Sequence, residues 1–526
     1  MKTIKNTHLA EIVVALLLLV LPLATYWNTT FHDFGLRDDY ANLREAHEEP
    51  GKILQFTASH ARPVYGWLLQ QSFERIDGIT DLEWLRLMGA AGLGLTAVVL
   101  FGLLVRVGWG WSAAGFAAAM TVLAPAAQIV AGWATTWPYT LATLLALGGF
   151  TLTHHNRESG YWLRQMSAVL LITVSALIYQ PNSLLYLVGI VATLPVLRGQ
   201  PLERRLRWVG VHLALVAAGL AAAFLIMKLA YATGVFTASD RIAFEHDPIG
   251  KMGWFLSEPL LNALNLLVLN DDEGGNRIAY RVSAGITAVL LVAGLGVESW
   301  RRGRQAGGFW LLLLATLLPA ALVVNLVAAE RFATYRTIFA LTAVLLAFLT
   351  LSWQNLCSLA GRVSRTIEVS GYVILLAIAV ALARGHAYSL IAMPQGEELQ
   401  ILERIVDRIV LRTPPLRIYF VQPLPEDSPT EISYHDEFGA LSTSGALVAG
   451  SDWAPKEMFK HLIHKHFPNR ANPDHDYQLE AGIQPPPKGE RFDLVIDMRQ
   501  IRRFGPLYAG PTTPPAKPSG LDLLPP

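Results

Sequence analysis

The sequence predicts an α-helical polytopic membrane protein of about eleven transmembrane helices, with a small α/β domain at its C-terminal end. Three observations lead there. Of 526 residues, 52% are apolar and only 16% charged, whereas soluble domains are about one quarter charged. Apolar runs close to the roughly 20 residues that a membrane helix needs recur along the first 390 or so positions. After residue 393 the pattern becomes that of a water-soluble α/β unit.

The spans fall near 11–29, 85–105, 112–132, 138–153, 165–180, 183–197, 208–231, 280–298, 309–328, 337–354 and 368–387. Lys2 and Lys5 precede the first run as in a signal peptide, but no small-residue cleavage site follows, so it reads as an uncleaved anchor. Arg157 with Arg164, then Arg198 with Arg204, Arg205 and Arg207, then Arg301, Arg302 and Arg304, then Arg362 with Arg365 fall in alternate loops. The positive-inside rule makes those loops cytoplasmic. The first loop, 30–84, and everything after about 390 are then outside. The apolar stretch 255–270 reads as an interfacial helix, because one more crossing would turn Arg301–Arg304 outward.

In the C-terminal part, 397–412 has the apolar spacing of an amphipathic helix, 417–422 and 492–498 read as buried strands, and 455–467 as a helix between them. The chain divides into a membrane module 1–393, an α/β domain 394–510 and a Pro-rich, disordered tail 511–526. A net charge of +1 argues against a nucleic-acid partner. The single cysteine, Cys357, excludes an internal disulfide and a CxxC metal site. No Walker or GxGxxG phosphate loop is present, which argues against a nucleotide-driven pump.

The chemistry-bearing residues gather in the loops predicted to face outward. FGLRDDYANL (34–43) holds the adjacent carboxylates Asp38 and Asp39. One reading is an ordinary helix start, with Asp38 as cap. The other is catalytic: side chains about 100° apart on a helix do different jobs, one as general base and one as an orienting group. SHARPVYGWLL (59–69) threads His60, Arg62 and Tyr65 into an apolar stretch, where Arg62 either snorkels to headgroups or holds a phosphate or sugar. GWATTWPY (132–139) offers Trp133, Trp137 and Tyr139 as an interfacial belt or a stacking platform for a sugar. YQPN (179–182) puts Gln180 at a helix turn, and AAERFATYRT (328–337) puts Arg331, Tyr335 and Arg336 in an outer turn suited to lipid headgroups or to a phosphate-bearing lipid. The 240–247 cluster with Arg241, Glu245, His246 and Asp247 lacks metal-ligand spacing and reads as structural.

Taken together, RDDY (37–40) in the first outer loop, ARPVYGWLL (61–69), the YQPN turn (179–182) and the YR of 335–336 resemble the GT-C superfamily of polytopic glycosyltransferases. The likeness is to GtrII-type O-antigen glucosyltransferases and PMT-like members. It implies inverting transfer of a sugar from a polyprenyl-phosphate carrier to a glycan or lipid-linked acceptor on the outer face, with membrane lipids around the site. It further implies that Asp38 or Asp39, with Asp38 favoured, is the base, and that Arg336, Arg331, Arg62 or a divalent metal (Mg or Mn) meets the departing phosphate. His60, Tyr65, Trp133, Trp137, Gln180 and Tyr335 complete the substrate-binding candidates. A flippase or transporter would favour mid-membrane charges and inverted repeats, which the spans lack. A glycan polymerase would instead use a lipid-diphosphate oligosaccharide.

Overall fold

The computed structural model describes residues 2–498 except 155–159, 240–242, 271–276, 412–414, 422–452, 469–475 and 483. Arg241, the pair Asp436–Glu437 and the Pro-rich tail lie outside the described residues.

Each predicted apolar segment is helical, the main pieces being Lys2–Thr25, Leu82–Arg106, Trp111–Leu123, Pro138–His154, Tyr161–Ser183, Tyr186–Ala192, Leu202–Ala232, Arg277–Arg302, Arg304–Ala320, Phe339–Cys357 and Ser364–Gly385. Among the described residues, five helical stretches are long and apolar enough to cross a membrane, or six if a bent pair counts as one. The smaller number has physical causes. The stretch Tyr335–Val406 counts once but contains two of the predicted segments. Pro125 splits the third segment, and the two halves meet at 56°. Pro181 removes a donor and crowds the turn before it, where Tyr179 leaves the helical region (φ −154°, ψ 107°).

Apolar side chains turned outward support a lipid-embedded bundle. Val282, Ile286, Val289 and Val292 form one exposed stripe on Arg277–Arg302, and Leu225, Ile226 and Leu229 another on Leu202–Ala232. Phe339–Cys357, by contrast, is buried almost all round and forms the centre of the bundle. At one end Glu298, 3% exposed, receives Arg198 at 3.0 Å, Asn355 at 3.0 Å and Arg302 at 3.6 Å. Two of the arginine-rich loops therefore share an end of the bundle. Leu202–Ala232 starts beside the Arg198 loop and, at about 1.5 Å per residue, carries Tyr231 to the opposite end. The stretch expected to lie along the interface forms Pro248–Ser257 and Pro259–Leu264, both too short to span.

The helical path does not break at 393. It runs from Ser364–Gly385 through a π turn, His386–Ala392, into Met393–Val406. Beyond it lie β1 (Leu416–Val421), a helix Trp453–His466, β2 (Tyr477–Gly482) and β3 (Leu494–Asp497), with parallel strand order β2-β1-β3. Central β1 is buried and Val/Ile/aromatic-rich, hence legible; β2, YQLEAG, is a mostly part-exposed edge strand whose Gln, Glu and Gly hide it from pattern reading. Trp453–His466 packs on Met393–Val406 and on a short helix of the first loop, Asp38–Glu48. There Arg44 reaches Glu457 at 3.0 Å, and His464 meets Glu48 at 2.6 Å.

Helix contacts in the bundle depend on small residues. A Cβ at Gly94 would overlap the Leu19 carbonyl, and one at Gly92 would overlap the Thr140 side chain, whereas one at Gly102 meets open space. Gly94→Val should therefore cost about 1–3 kcal/mol through forced separation of two helices. Thermal unfolding in detergent should show a lowered midpoint for Gly94→Val and an unchanged one for Gly102→Val.

Candidate active site

The site begins with a buried cation. Arg86, one turn into Leu82–Arg106, is 0% exposed. Its Nε donates to the Thr30 carbonyl (3.0 Å), Nη1 to Phe34 (2.8 Å) and Nη2 to His32 (2.6 Å), while the guanidinium lies 4.3 Å from the Phe34 ring centre. A planar fork of donors suits three carbonyls presented by one turn of loop. Residues 30–34 are thereby tied to the first full-length helix after the loop.

The two aspartates then separate in role. Asp39 is 0% exposed; its Oδ2 accepts from Leu36 N (2.8 Å) and its Oδ1 from Thr135 N (3.1 Å). It reaches back across the start of the Asp38–Glu48 helix, much as the acid of a capping box does, and also pins the loop to the 134–136 turn. Asp39, rather than Asp38, thus serves the helix start. Burial pushes the Asp39 carboxyl up to about 7, against the opposing pull of the Leu36 amide, Arg86 and the Thr135 amide. Asp38 is only half-buried, and Arg37 before it has φ 47°, a region that costs a side-chain-bearing residue.

Ala61, with φ 60°, is the second non-glycine residue of positive φ among the described residues, and it directly precedes Arg62. Arg62 Nε donates to Gln180 Oε1 (3.2 Å), and its guanidinium sits 4.9 Å from the Tyr179 ring centre. No other hydrogen bond among the described residues occupies its terminal nitrogens. From Tyr179 a layer of aromatic rings runs back toward the aspartates. Tyr179 stacks on Tyr139 at 3.7 Å, Tyr139 meets Tyr65 at 5.4 Å, and the Tyr65 hydroxyl donates to the Thr135 carbonyl (3.2 Å). Thr135 is the residue whose amide Asp39 holds. Burial holds the Tyr65 hydroxyl well above its ordinary pKa; among the lesser influences Asp38 raises it and Arg336 lowers it, so both charges lie within electrostatic reach of one phenol.

Arg336 lies 4.6 Å from the Trp133 ring centre, a cation–π contact that fixes its approach. Trp133 and Trp137 are 1% and 8% exposed, and their indole N–H groups have no hydrogen-bond partner among the described residues. Two buried unpaired donors beside this group are costly unless something accepts from them. Tyr335, 1% exposed, accepts from Asn270 N (2.6 Å) through its hydroxyl. Arg331 sits elsewhere: it pairs with Asp247 at 3.7 Å, while Asp247 caps Pro248–Ser257 and the buried Lys251 donates to the Ala328 and Glu330 carbonyls. That cluster builds the turn. His60 Nδ1 bonds locally, to the Phe56 carbonyl (2.9 Å) and Ser59 Oγ (3.1 Å).

The structure thus brings Asp38, Asp39, Arg62, Tyr65, Trp133, Gln180 and Arg336 into one connected group, and engages Arg331 and His60 in their own turns. Sequence reading overlooked Arg86, although a lone arginine inside LEWLRLMG is the kind of charge an apolar helix does not carry idly. It also overlooked Tyr139 and Tyr179 as connectors, which look like ordinary aromatic belt residues until stacked. Among the described residues no three His, Cys, Asp or Glu side chains come together as ligands, and both Asp39 oxygens are taken by amides. The described residues alone therefore form no three-ligand cage for Mg or Mn, an ion that elsewhere is held by one or two carboxylates together with water and substrate phosphate.

No protein-family model and no curated protein matches the sequence. Solved structures similar to the chain include ArnT from Cupriavidus metallidurans in the apo state, at TM-score 0.41 and 14% identity, covering 91% of this chain and 86% of that one. The same protein bound to undecaprenyl phosphate gives TM-score 0.38 and 14% identity over 79% of this chain and 83% of that one. The Archaeoglobus fulgidus oligosaccharyltransferase complex with zinc and sulfate gives TM-score 0.41 and 13% identity over 78% of this chain and 59% of that one.

The division between the aspartates is measurable as stability. Asp39→Asn keeps one acceptor but turns an NH2 group toward the second amide, so it should lower the unfolding midpoint, while Asp38→Asn should leave it unchanged. The Asp39 pKa is raised by folding from about 3.9, so its contribution is complete below about pH 4 and is lost as pH rises through about 7. Wild type should therefore lose stability between about pH 4 and pH 7 more steeply than Asp39→Asn does, as read by thermal unfolding across pH.

Proposed function

We propose that the chain is a GT-C-type glycosyltransferase of the bacterial inner membrane. It moves a sugar from a polyprenyl-phosphate carrier to a hydroxyl of a cell-envelope glycan acceptor on the outer face. The observation that carries this reading is that Asp39 pins the loop bearing Asp38 to the 134–136 turn, next to Trp133, on whose ring Arg336 lies at 4.6 Å. Glycosyl transfer from a lipid phosphate needs a base for the acceptor proton and, across the reacting bond, a cation for the departing phosphate.

In the proposed mechanism the acceptor oxygen attacks the anomeric carbon as Asp38 takes its proton. The bond from that carbon to the phosphate oxygen breaks, and the polyprenyl phosphate leaves with the electron pair, inverting the centre. Arg336, oriented on Trp133, and the terminal nitrogens of Arg62 receive the phosphate oxygens. Asp39 and Arg86 take no part in proton transfer; they hold Asp38 where the acceptor meets it. The Trp133 and Trp137 indole N–H groups supply donors for sugar hydroxyls. No step needs a metal.

Purified protein given polyprenyl-phosphate sugars and a lipid-linked glycan acceptor should form product at equal rates with and without EDTA. Asp38→Asn should lose about 10²–10⁴-fold in turnover with insertion and unfolding midpoint intact. Full activity in Asp38→Asn would overturn the reading. Turnover only on lipid-diphosphate oligosaccharides would move the protein to the polymerases. Arg336→Ala should raise KM for the donor and lower kcat, since its charge is asked to bind both ground state and leaving group.

A further inference from the structure

Ala61 is gripped from both sides, through the two peptide groups that flank it. Its N–H points to the Tyr231 hydroxyl (3.0 Å) as well as to the Ala58 carbonyl (2.9 Å), and its carbonyl accepts from Gln180 Nε2 (2.9 Å). The Tyr231 hydroxyl in turn donates toward the Ala58 carbonyl (2.7 Å), with the Ser59 carbonyl at 3.2 Å, and Ser239 N also donates to Ser59 (3.0 Å). Gln180 uses its other amide atom to accept from Arg62 Nε. One residue in the left-handed region therefore has the two peptide planes that flank it held, one each, by side chains from two long helices, Leu202–Ala232 and Tyr161–Ser183. An alanine adopts that conformation at a cost, so it persists only where the surroundings enforce it. Its consequence is the direction in which the next side chain, Arg62, leaves the backbone.

We propose that Tyr231 is a positioning residue. With Gln180, its hydroxyl clamps Ala61 in the left-handed turn so that the Arg62 guanidinium lies on Tyr179 with its terminal nitrogens presented to the donor phosphate. This assignment rests on the reading of Arg62 as a phosphate-binding residue. Tyr231 lies in the last turn of Leu202–Ala232, and among the described residues its hydroxyl bonds only within the 58–61 turn. Phenylalanine keeps the ring and removes only that hydroxyl.

The test is steady-state transfer with a polyprenyl-phosphate sugar. Tyr231→Phe should raise KM for this donor about tenfold, the loss of about one good hydrogen bond's worth of positioning, with kcat within about twofold. Glycine populates positive φ freely, so adding Ala61→Gly to Tyr231→Phe should bring KM back toward wild type, which a general loss of packing would not allow. Gln180→Leu should raise KM in the same way and stands in if Tyr231→Phe does not accumulate. Arg62→Ala separates the two claims. Raised KM in Arg62→Ala with unchanged KM in both Tyr231→Phe and Gln180→Leu overturns the clamp alone. Unchanged KM in Arg62→Ala overturns the reading of Arg62, and the clamp with it. Failure of Ala61→Gly to lower KM in the double variant also overturns the clamp.

Discussion

The site depends on one buried guanidinium. Arg86 has no exposed surface, and its compensation consists of three carbonyls from a single stretch of loop, the face of Phe34 and the nearby charge of Asp39. A desolvated cation is tolerated only while all such partners stay in place, so the loop has little freedom to move away. From there the order propagates by contact. Residues 30–34 lead into Leu36, whose amide Asp39 holds; Asp39 also holds Thr135; and Thr135 receives the Tyr65 hydroxyl that begins the aromatic layer ending at Arg62.

Within that framework neighbouring residues of like charge do unlike work. Asp39 spends both oxygens on amides and is shut off from solvent, whereas Asp38, one position earlier and about 100° around the helix, remains half-buried at the edge of the group. The same arrangement recurs on the cationic side, where Gln180 and Tyr231 engage backbone so that Arg62 need not. Two of the proposed reactive side chains, Asp38 and Arg62, follow a residue held at positive φ without being glycine, Arg37 and Ala61. Backbone strain at these two points is retained because the surrounding hydrogen bonds over-determine it. The C-terminal α/β unit adds to the support, since Arg44 and Glu48 of the Asp38–Glu48 helix meet Glu457 and His464.

Much of this was legible from residue order. Runs of apolar residues located every long helix, because the membrane forces backbone groups to pair within each segment, and β1 was recognisable by its buried branched and aromatic residues. Asp38, Asp39, Arg62, Trp133, Gln180 and Arg336 stood out because polar groups in outward loops of an apolar chain are few. Arg331 stood out for the same reason, yet it pairs with Asp247, a residue more than eighty positions away whose proximity no local pattern encodes.

The sequence by itself determined the class of molecule, the succession of helices and the short set of residues able to carry charge chemistry, because hydropathy and residue type are local properties. Only the tertiary structure decided which aspartate has both oxygens held by amides, that Arg86 and Tyr231 hold the two loops, and that Tyr65, Tyr139 and Tyr179 join them. Those outcomes depend on which atoms meet across gaps of 40 to 170 residues, and on which carboxylate the fold closes off from water.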